Sequence, residues 1–255
     1  MTGAEEPDTH STDAFLGGRL SILQPRGGYR AGVDPVLLAA AIPAQSGQTV
    51  LDMGCGAGVA ALCLGARVGG LDLWGLELQS AYAALARQNA AANGIAFEVV
   101  EGDLARMPAE LRALQFDHVI ANPPYFSREA SVAARDAGRE TAMGGPTPLA
   151  DWVRQAAKRC RPGGHVTFIQ RAERMPELLA AMTEGLGSLE ALPLIPRRGR
   201  PARLVLLRGK KGGRAAFRLH DGWLLHEGAR HERDGESYTE ATTAVLRDGA
   251  ALPFS

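Results

Sequence analysis

The stretch that decides the fold is LDMGCGAG, residues 51–58, in which three glycines at alternate positions follow a short apolar run. The apolar run predicts a buried strand, and the alanine-rich segment at residues 58–68 predicts a helix. Gly54, Gly56 and Gly58 would let the backbone turn tightly between the two and approach a ligand closely. Strand, glycine loop and helix in this order favour a ligand site at the carboxyl end of the strand.

The alternation of strand and helix continues along the chain. Further strands are predicted at residues 71–78, 96–103, 116–124 and 165–170, and further helices at residues 80–94, 148–164 and 173–187. Two more strands are expected within residues 201–219, on either side of the segment GKKGG. This pattern predicts an α/β fold, a doubly wound seven-stranded mostly parallel sheet with one antiparallel edge strand.

The length of 255 residues suits one large domain. Residues 1–13 are acidic and polar, and we predict that they form a flexible leader. We predict a single domain for the remainder, residues 14–255. Its parts are an N-terminal extension (14–48), a core fold (49–210) and a C-terminal extension (211–255).

Composition excludes several classes of protein. No apolar run approaches the ~18 residues of a membrane span, and the N-terminus lacks the pattern of a signal peptide. The three cysteines have no framework spacing, which favours reduced thiols and a cytoplasmic protein. His220, His226 and His231 lack a matching cysteine or carboxylate pattern, so we expect no metal site. Because no apolar run is long enough to span a membrane, we also expect no membrane association.

Acidic residues follow three successive predicted strands. Asp52 lies just before the glycines, Glu77 ends the second strand and Asp103 ends the third. A carboxylate beside the glycine loop would repel a pyrophosphate and attract a cation, which favours S-adenosylmethionine over NAD. Glu77 could accept both ribose hydroxyls, and Asp103 could accept from an adenine amino group. Because open α/β sheets bind ligands at the carboxyl ends of their strands, we predict a cofactor site here.

A second motif, IANPPYF at residues 120–126, follows the fourth predicted strand. Its two prolines cannot continue a β-ladder, because they lack backbone N–H groups. They stiffen the loop instead. This stiffness points to a role other than pairing in the sheet.

Because it carries both motifs, the chain resembles the class I S-adenosylmethionine-dependent methyltransferases of the NPPY type, over residues 49–210. Including GGYRAGVDPVLLAA (27–40) and ESYTEATTAVLRD (236–248), it is similar to the bacterial family that methylates N6 of an adenine in valine tRNA, next to the anticodon. The resemblance implies a Rossmann-like methyltransferase fold, S-adenosylmethionine as cofactor and tRNA as substrate. One departure stands at Gly32-Val33-Asp34, where members of the family often have Gly-Thr-Asp, so that a hydroxyl contact to the cofactor is missing.

The resemblance also implies roles for individual residues. The predicted catalytic residues are Asn122, Pro123, Pro124 and Tyr125. The predicted cofactor-binding residues are Asp34, Asp52, Gly54, Cys55, Gly56, Gly58, Glu77, Leu78, Asp103, Leu104 and Asn122. The amide oxygen of Asn122 and the carbonyl of Pro123 would each accept one hydrogen of the target amine. Tyr125 would offer its ring to a flipped base, assisted by Phe126.

The charge distribution favours a nucleic acid as substrate. Residues 197–218 contain nine basic residues and no acid, although the net charge of the chain is zero. We expect these cations, with Arg128, Arg135 and Arg139, to face phosphates. Three alternatives remain open at this point, which are methylation of a glutamine N5 on a protein, methylation of guanine N2 in rRNA, and a binding module without activity.

Overall fold

The glycine loop joins the central strand of a mixed sheet to one of the helices that cover it. The computed structural model describes residues 9–125, 147–228 and 237–254. The strands are β1 (His10–Phe15), β2 (Leu20–Pro25), β3 (Thr49–Met53), β4 (Asp72–Glu77), β5 (Phe97–Glu101), β6 (Phe116–Ala121), β7 (Cys160–Arg171), β8 (Gly187–Ile195), β9 (Leu204–Lys210), β10 (Arg218–Leu219) and β11 (Trp223–Leu224). The helices are α1 (Asp34–Ala40), α2 (Val59–Arg67), α3 (Ser80–Ala92), α4 (Ala109–Arg112), α5 (Leu149–Arg159), α6 (Met175–Thr183) and α7 (Glu240–Thr243).

The main sheet has the order β10-β8-β9-β7-β6-β3-β4-β5, and β11 also pairs with β8. Only β9 is antiparallel to its neighbours. The α/β class and the mostly parallel sheet are therefore confirmed. The antiparallel strand, however, lies between β7 and β8 and not at the edge. The eight residues between β8 and β9 contain no crossover helix, so β9 must return antiparallel to β8.

The edge of the sheet beyond β9 differs from the prediction. β8 was not among the predicted strands, because Pro193 interrupts the pattern of an interior strand. Strands do lie on either side of GKKGG, as β9 and β10, but they are not neighbours, since β10 pairs with β8 in parallel. After β9 the chain crosses the start of β8, where a Cβ at Gly187 would lie 2.1 Å from the carbonyl oxygen of Gly213. This crossing carries the chain to the free side of β8, and the sheet gains two short strands.

The N-terminal extension contains a hairpin of β1 and β2, which was not predicted from the sequence. It begins at His10, inside the segment assigned to the leader, and residues 1–8 lie outside the described residues. Asn89 of α3 binds the hairpin as a neighbouring strand would, since its amide accepts from the Leu23 N–H at 2.8 Å and donates to the Leu23 carbonyl at 3.0 Å. The hairpin thus belongs to the folded unit.

Helices cover both faces of the sheet. Leu37, Leu62 and Ala86, from α1, α2 and α3, belong to one buried apolar cluster. The opposite cluster includes side chains from α4, α5 and α6, namely Leu111, Val153 and Leu178. Adjacent residues of β3 point alternately into the two clusters, which is why the strand reads as a continuous apolar run. No helix among the described residues has the length and apolarity needed to cross a membrane.

Candidate active site

The order of the sheet creates a switch point between β3 and β6. From β3 the chain moves outward through β4 and β5, and then returns to place β6 on the other side of β3. The register pairs Asp52 with Ile120 and Met53 with Ala121, so the two strands end side by side. The glycine loop and the Asn-Pro-Pro-Tyr loop therefore meet, although they lie far apart in sequence, and such a crevice is where open α/β sheets bind ligands.

A cleft at this switch point encloses about 420 Å³ of space, part of which is open to solvent. It is lined by five predicted site residues, namely Asp52, Gly54, Cys55, Gly56 and Asn122. Tyr29, Tyr82 and Gln24 complete its polar lining.

The glycine loop turns directly after β3. Gly54 has a φ of +69°, and a Cβ there would lie 2.6 Å from the indole ring of Trp152 on α5. The N–H groups of Gly54 and Cys55 both donate to the carbonyl of Leu76, at 2.7 and 3.1 Å. The loop is therefore attached to the end of β4, and a side chain at position 54 would displace it.

Asp52 is a buried carboxylate with unused acceptor capacity. Its side chain is 2% exposed, and Oδ2 accepts from the Ala61 N–H at 3.2 Å. Oδ1 accepts no hydrogen bond from the described residues, although an ionised carboxylate has about four acceptor positions. The pKa of Asp52 is raised to about 7, chiefly by burial, while the hydrogen bond from Ala61 lowers it and nearby Glu77 raises it. A cation placed beside Asp52 would favour its charged form.

Glu77 connects the end of β4 to the glycine loop. Its Oε2 accepts from the Gly56 N–H and its Oε1 from the Gln79 N–H, both at 2.9 Å. Burial raises the pKa of this carboxyl, and the hydrogen bonds oppose that effect. The two bonds hold the carboxylate in one orientation and leave each oxygen able to accept one more hydrogen bond. Two adjacent ribose hydroxyls fit this arrangement.

Other predicted cofactor residues lie beside the cleft and not in its lining. Asp103 accepts from the Ala105 N–H at 2.8 Å, and so caps a short 3-10 turn at Leu104–Arg106. The Leu104 side chain is buried in the core, whereas Leu78 is 51% exposed. Gly58 precedes α2 and has a φ of +87°. The roles of these residues toward a cofactor remain predictions.

Residues 122–125, called the catalytic loop after their predicted role, place an acceptor in the cleft. Asn122 follows β6, and its amide nitrogen donates to the Tyr29 hydroxyl at 3.3 Å. The amide oxygen has no hydrogen-bond partner among the described residues. Tyr29 in turn is positioned by its own carbonyl, which accepts from the Tyr82 hydroxyl at 2.9 Å. The orientation of Asn122 is thus set by the N-terminal extension.

The backbone of the catalytic loop contacts side chains at the end of β7. Fully buried Gln170 lies 3.4 Å from the Pro123 carbonyl, and Arg174 lies 3.4 Å from the Pro124 carbonyl. These are long donor–acceptor distances. The Pro123 carbonyl keeps a lone pair for another donor, since a carbonyl oxygen has two.

Tyr125 is held by two charged residues. Its hydroxyl donates to the carboxylate of Asp34 at the start of α1, and Arg171 lies over its ring, 5.6 Å from the centroid. Asp34 therefore contacts the catalytic loop and does not line the cleft. Phe126, Arg128, Arg135 and Arg139 lie outside the described residues.

Sequence reasoning missed Tyr29, Gln170 and Arg171. Tyr29 stands within the GGYRAG segment that the resemblance includes, but no spacing links it to Asn122, 93 residues away. Gln170 ends a predicted strand and Arg171 directly follows it, and this position at the carboxyl edge was the available signal. The described residues contain no cluster of three or more His, Cys, Asp or Glu side chains that could hold a metal ion.

Known methyltransferases are similar to this chain in sequence. The profile of the family described as "Methyltransferase small domain" matches residues 31–192. A protein of Actinobacillus succinogenes named tRNA1(Val) (adenine(37)-N6)-methyltransferase is 30% identical over 200 residues, which are 76% of this chain and 82% of that one. A Porphyromonas gingivalis protein of the same name is 34% identical over 178 residues, which are 66% of this chain and 68% of that one.

Solved structures share the fold. The crystal structure of a predicted O-methyltransferase from Agrobacterium tumefaciens has a TM-score of 0.70 and 27% identity, covering 86% of this chain and 98% of that one. The Thermus thermophilus 16S rRNA N2 G1207 methyltransferase, solved with AdoMet and guanosine, has a TM-score of 0.54 and 19% identity. It covers 79% of this chain and 50% of that one, and shows likeness of fold alone.

Proposed function

The chain belongs to the methyltransferase small domain family, and we propose that it transfers a methyl group from S-adenosylmethionine to N6 of an adenine in tRNA. The use of S-adenosylmethionine is supported by the family and by the buried carboxylate beside the glycine loop. The choice of adenine N6 in tRNA is supported by the names of the curated relatives. The observation that carries the chemistry is the Asn122 amide, whose oxygen stands free in the cleft while its nitrogen is held by Tyr29.

The cofactor fits two carboxylate acceptors, of which Asp52 lines the cleft and Glu77 lies beside it, bonded to the glycine loop. S-adenosylmethionine carries a methyl group on a cationic sulfonium and supplies it as an electrophile. Asp52 has an unused carboxylate oxygen at the start of the glycine loop, where an ammonium group could bind. Glu77 can accept from two ribose hydroxyls, because its two oxygens are already oriented by backbone N–H groups. We assign these two residues to cofactor binding.

The target amine needs positioning more than it needs a base. The lone pair of an exocyclic adenine amine is delocalised into the ring, which makes the nitrogen a weak nucleophile. The Asn122 oxygen and the Pro123 carbonyl would each accept one amino hydrogen, and this favours a pyramidal nitrogen whose lone pair faces the methyl group. The stiff prolines, with Gln170 against the Pro123 carbonyl, keep both acceptors in place before the substrate arrives.

The adenine must leave its stack to reach Asn122. Arg171 covers one face of the Tyr125 ring, and we assign the other face to the flipped base. Stacking on an aromatic side chain contributes about 1–3 kcal/mol per base.

We place the reaction in the cytoplasm, where tRNA is modified and where the three buried, unpaired cysteines would stay reduced.

The test is methyl transfer to three substrates in parallel. Bulk tRNA, rRNA and a peptide-chain release factor are each incubated with the protein and tritiated S-adenosylmethionine, and the labelled RNA is digested to nucleosides. The expected product is N6-methyladenosine, found in tRNA alone. Label in the release factor, or in N2-methylguanosine from rRNA, would contradict the proposal and identify the substrate class instead.

A further inference from the structure

The basic run at residues 197–218 is divided between two opposite edges of the sheet. β8 ends at Ile195 and β9 begins at Leu204, which pairs with Arg171 at the carboxyl end of β7. The loop between β8 and β9 therefore lies at the same edge as the catalytic loop. Lys210, by contrast, pairs with His165 near the opposite edge. At about 3.3 Å per residue, the two ends of β9 are about 20 Å apart.

Three of the nine cations serve the fold. Arg197 is 8% exposed, and its guanidinium donates to the Glu227 carbonyl and to the Ser237 hydroxyl, the latter at 2.7 Å. Arg208 forms an ion pair with Glu190 at 2.5 Å, with both side chains largely buried. Lys211 donates to the Ala157 carbonyl at 2.7 Å. These three are therefore unsuited to binding a ligand.

Three other arginines of the run are exposed at the carboxyl edge, namely Arg198, Arg200 and Arg203. None of them forms an ion pair with a carboxylate of residues 9–125, 147–228 or 237–254. We call these three residues the rim arginines.

The rim arginines are connected to the catalytic loop through the backbone at the end of β7. The Arg203 carbonyl accepts from the Ala172 N–H at 2.9 Å, and Ala172 directly follows Arg171, which lies over the Tyr125 ring. Arg174, two residues further, approaches the Pro124 carbonyl. Of the described acids near this loop, Glu173 and Glu177 pair with Arg171 and Arg174, and Glu227 follows His226, whose N–H binds the Pro196 carbonyl. The edge beside the catalytic loop thus has an excess of positive charge.

We propose that the rim arginines bind phosphates of the RNA strand that presents the target base, and that the exposed cations of the opposite edge, Lys210, Arg214 and Arg218, do not. This inference rests on the proposed function. A guanidinium presents forked N–H donors that match a phosphate, and a flipped base requires its flanking backbone to be held near the site. Lys210 lies about 20 Å away at the other end of β9. Arg218 on β10 pairs in register with Glu190 of β8 and forms an ion pair with it at 3.8 Å.

The chain provides a matched control for this proposal. One variant carries Arg198→Gln, Arg200→Gln and Arg203→Gln, and the other carries Lys210→Gln, Arg214→Gln and Arg218→Gln. Both remove three exposed positive charges, so any long-range effect of net charge is the same. Binding to a labelled valine-tRNA transcript is measured between 50 and 200 mM salt, with methyl transfer to the same transcript and the melting temperature of each variant.

The rim variant should bind the transcript roughly 10-fold or more weakly, and the slope of log affinity against log salt should fall by about 2 to 3. The opposite-edge variant should match the wild type in both measurements. Both variants should bind S-adenosylhomocysteine with the affinity of the wild type, which would show that the cofactor site is intact. Equal loss in both variants, or no loss in the rim variant, would overturn the proposal.

The inference and the proposed function can fail separately. If the wild type binds the transcript with the expected difference between the two variants but transfers no methyl group to any tRNA, the rim assignment stands and the proposed substrate is wrong. If the wild type methylates tRNA but the rim variant binds and methylates it normally at subsaturating RNA, the proposed function stands and the rim assignment is wrong. Because all six substituted side chains are exposed, both variants should melt within a few degrees of the wild type.

Discussion

The hydroxyl of Tyr125 donates a hydrogen bond to the carboxylate of Asp34, and this bond joins the catalytic loop to the first residue of α1. Burial raises the pKa of Asp34, while the bond from Tyr125 and the nearby Arg171 lower it. Burial and the Asp34 carboxylate raise the pKa of Tyr125, so its hydroxyl stays protonated and remains a donor. The N-terminal extension thus orients two residues of the catalytic loop, Asn122 through Tyr29 and Tyr125 through Asp34.

Breaking the Tyr125–Asp34 bond should slow methyl transfer without weakening cofactor binding. Tyr125→Phe keeps the ring and loses the bond, and we expect kcat to fall roughly 3- to 10-fold, the effect of one hydrogen bond. Tyr125→Ala should also raise the KM for tRNA, because it removes the stacking surface. Steady-state kinetics with varied tRNA separates the two effects.

Asp34→Asn tests whether Asp34 acts through Tyr125. If it does, the double variant Asp34→Asn with Tyr125→Phe should be little slower than either single variant, as expected for residues that share one interaction. Calorimetry should show unchanged affinity for S-adenosylhomocysteine. A marked loss of that affinity would return Asp34 to the cofactor-binding role that the sequence predicted.

Removing the acceptor at position 122 should affect the chemical step. Asn122→Ala should reduce the rate of methyl transfer by roughly 10²-fold or more, since it deletes one preorganised acceptor. Tyr29→Phe should cause a smaller loss, because Asn122 remains and only its orientation is released. Single-turnover rates at saturating tRNA measure both, and near wild-type turnover by Asn122→Ala would refute the assigned role.

Asp52→Asn should weaken binding of S-adenosylmethionine by about 1.5–3 kcal/mol, or roughly 10- to 150-fold, because the carboxylate faces a cation. The protein should show no comparable affinity for NAD, whose pyrophosphate a carboxylate repels. Isothermal titration of both ligands to the wild type and the variant provides the measurement. Equal affinity for NAD, or an unchanged affinity in the variant, would disprove the cofactor role of Asp52.

The same substitution should stabilise the ligand-free protein in a pH-dependent way. The pKa of Asp52 is raised from its ordinary value of 3.8 to about 7, so folding disfavours its charged form. The resulting loss of stability begins as pH rises above the unfolded pKa and is complete above about pH 7. Melting temperatures of Asp52→Asn and the wild type should therefore diverge between pH 4 and 7 and differ by a constant amount above it. A difference that does not change with pH would show that Asp52 is already ionised in the free protein.

Local patterns predicted the central part of the fold well. The runs that became β3 and β6 are largely apolar because these strands are buried on both faces, and such runs can be recognised without knowledge of their neighbours. The prediction failed where the structure departs from that rule. β8 contains Pro193, and β10 is a two-residue pairing that exists because β8 offers a free edge. The N-terminal hairpin is likewise held by Asn89, through contacts 66 residues apart.

The sequence by itself determined which residues are candidates for the chemistry, because the glycine loop and the Asn-Pro-Pro-Tyr loop are short motifs of adjacent residues. The tertiary structure decided how those residues are oriented and which charges serve the fold. Asn122 is positioned by Tyr29 and Tyr125 by Asp34, across 93 and 91 residues of chain. The nine cations lie within one segment of the sequence, but β9 runs through that segment and places its two ends at opposite edges of the sheet. The direction of a strand and the partners of a side chain depend on elements distant in sequence, and no local pattern encodes them.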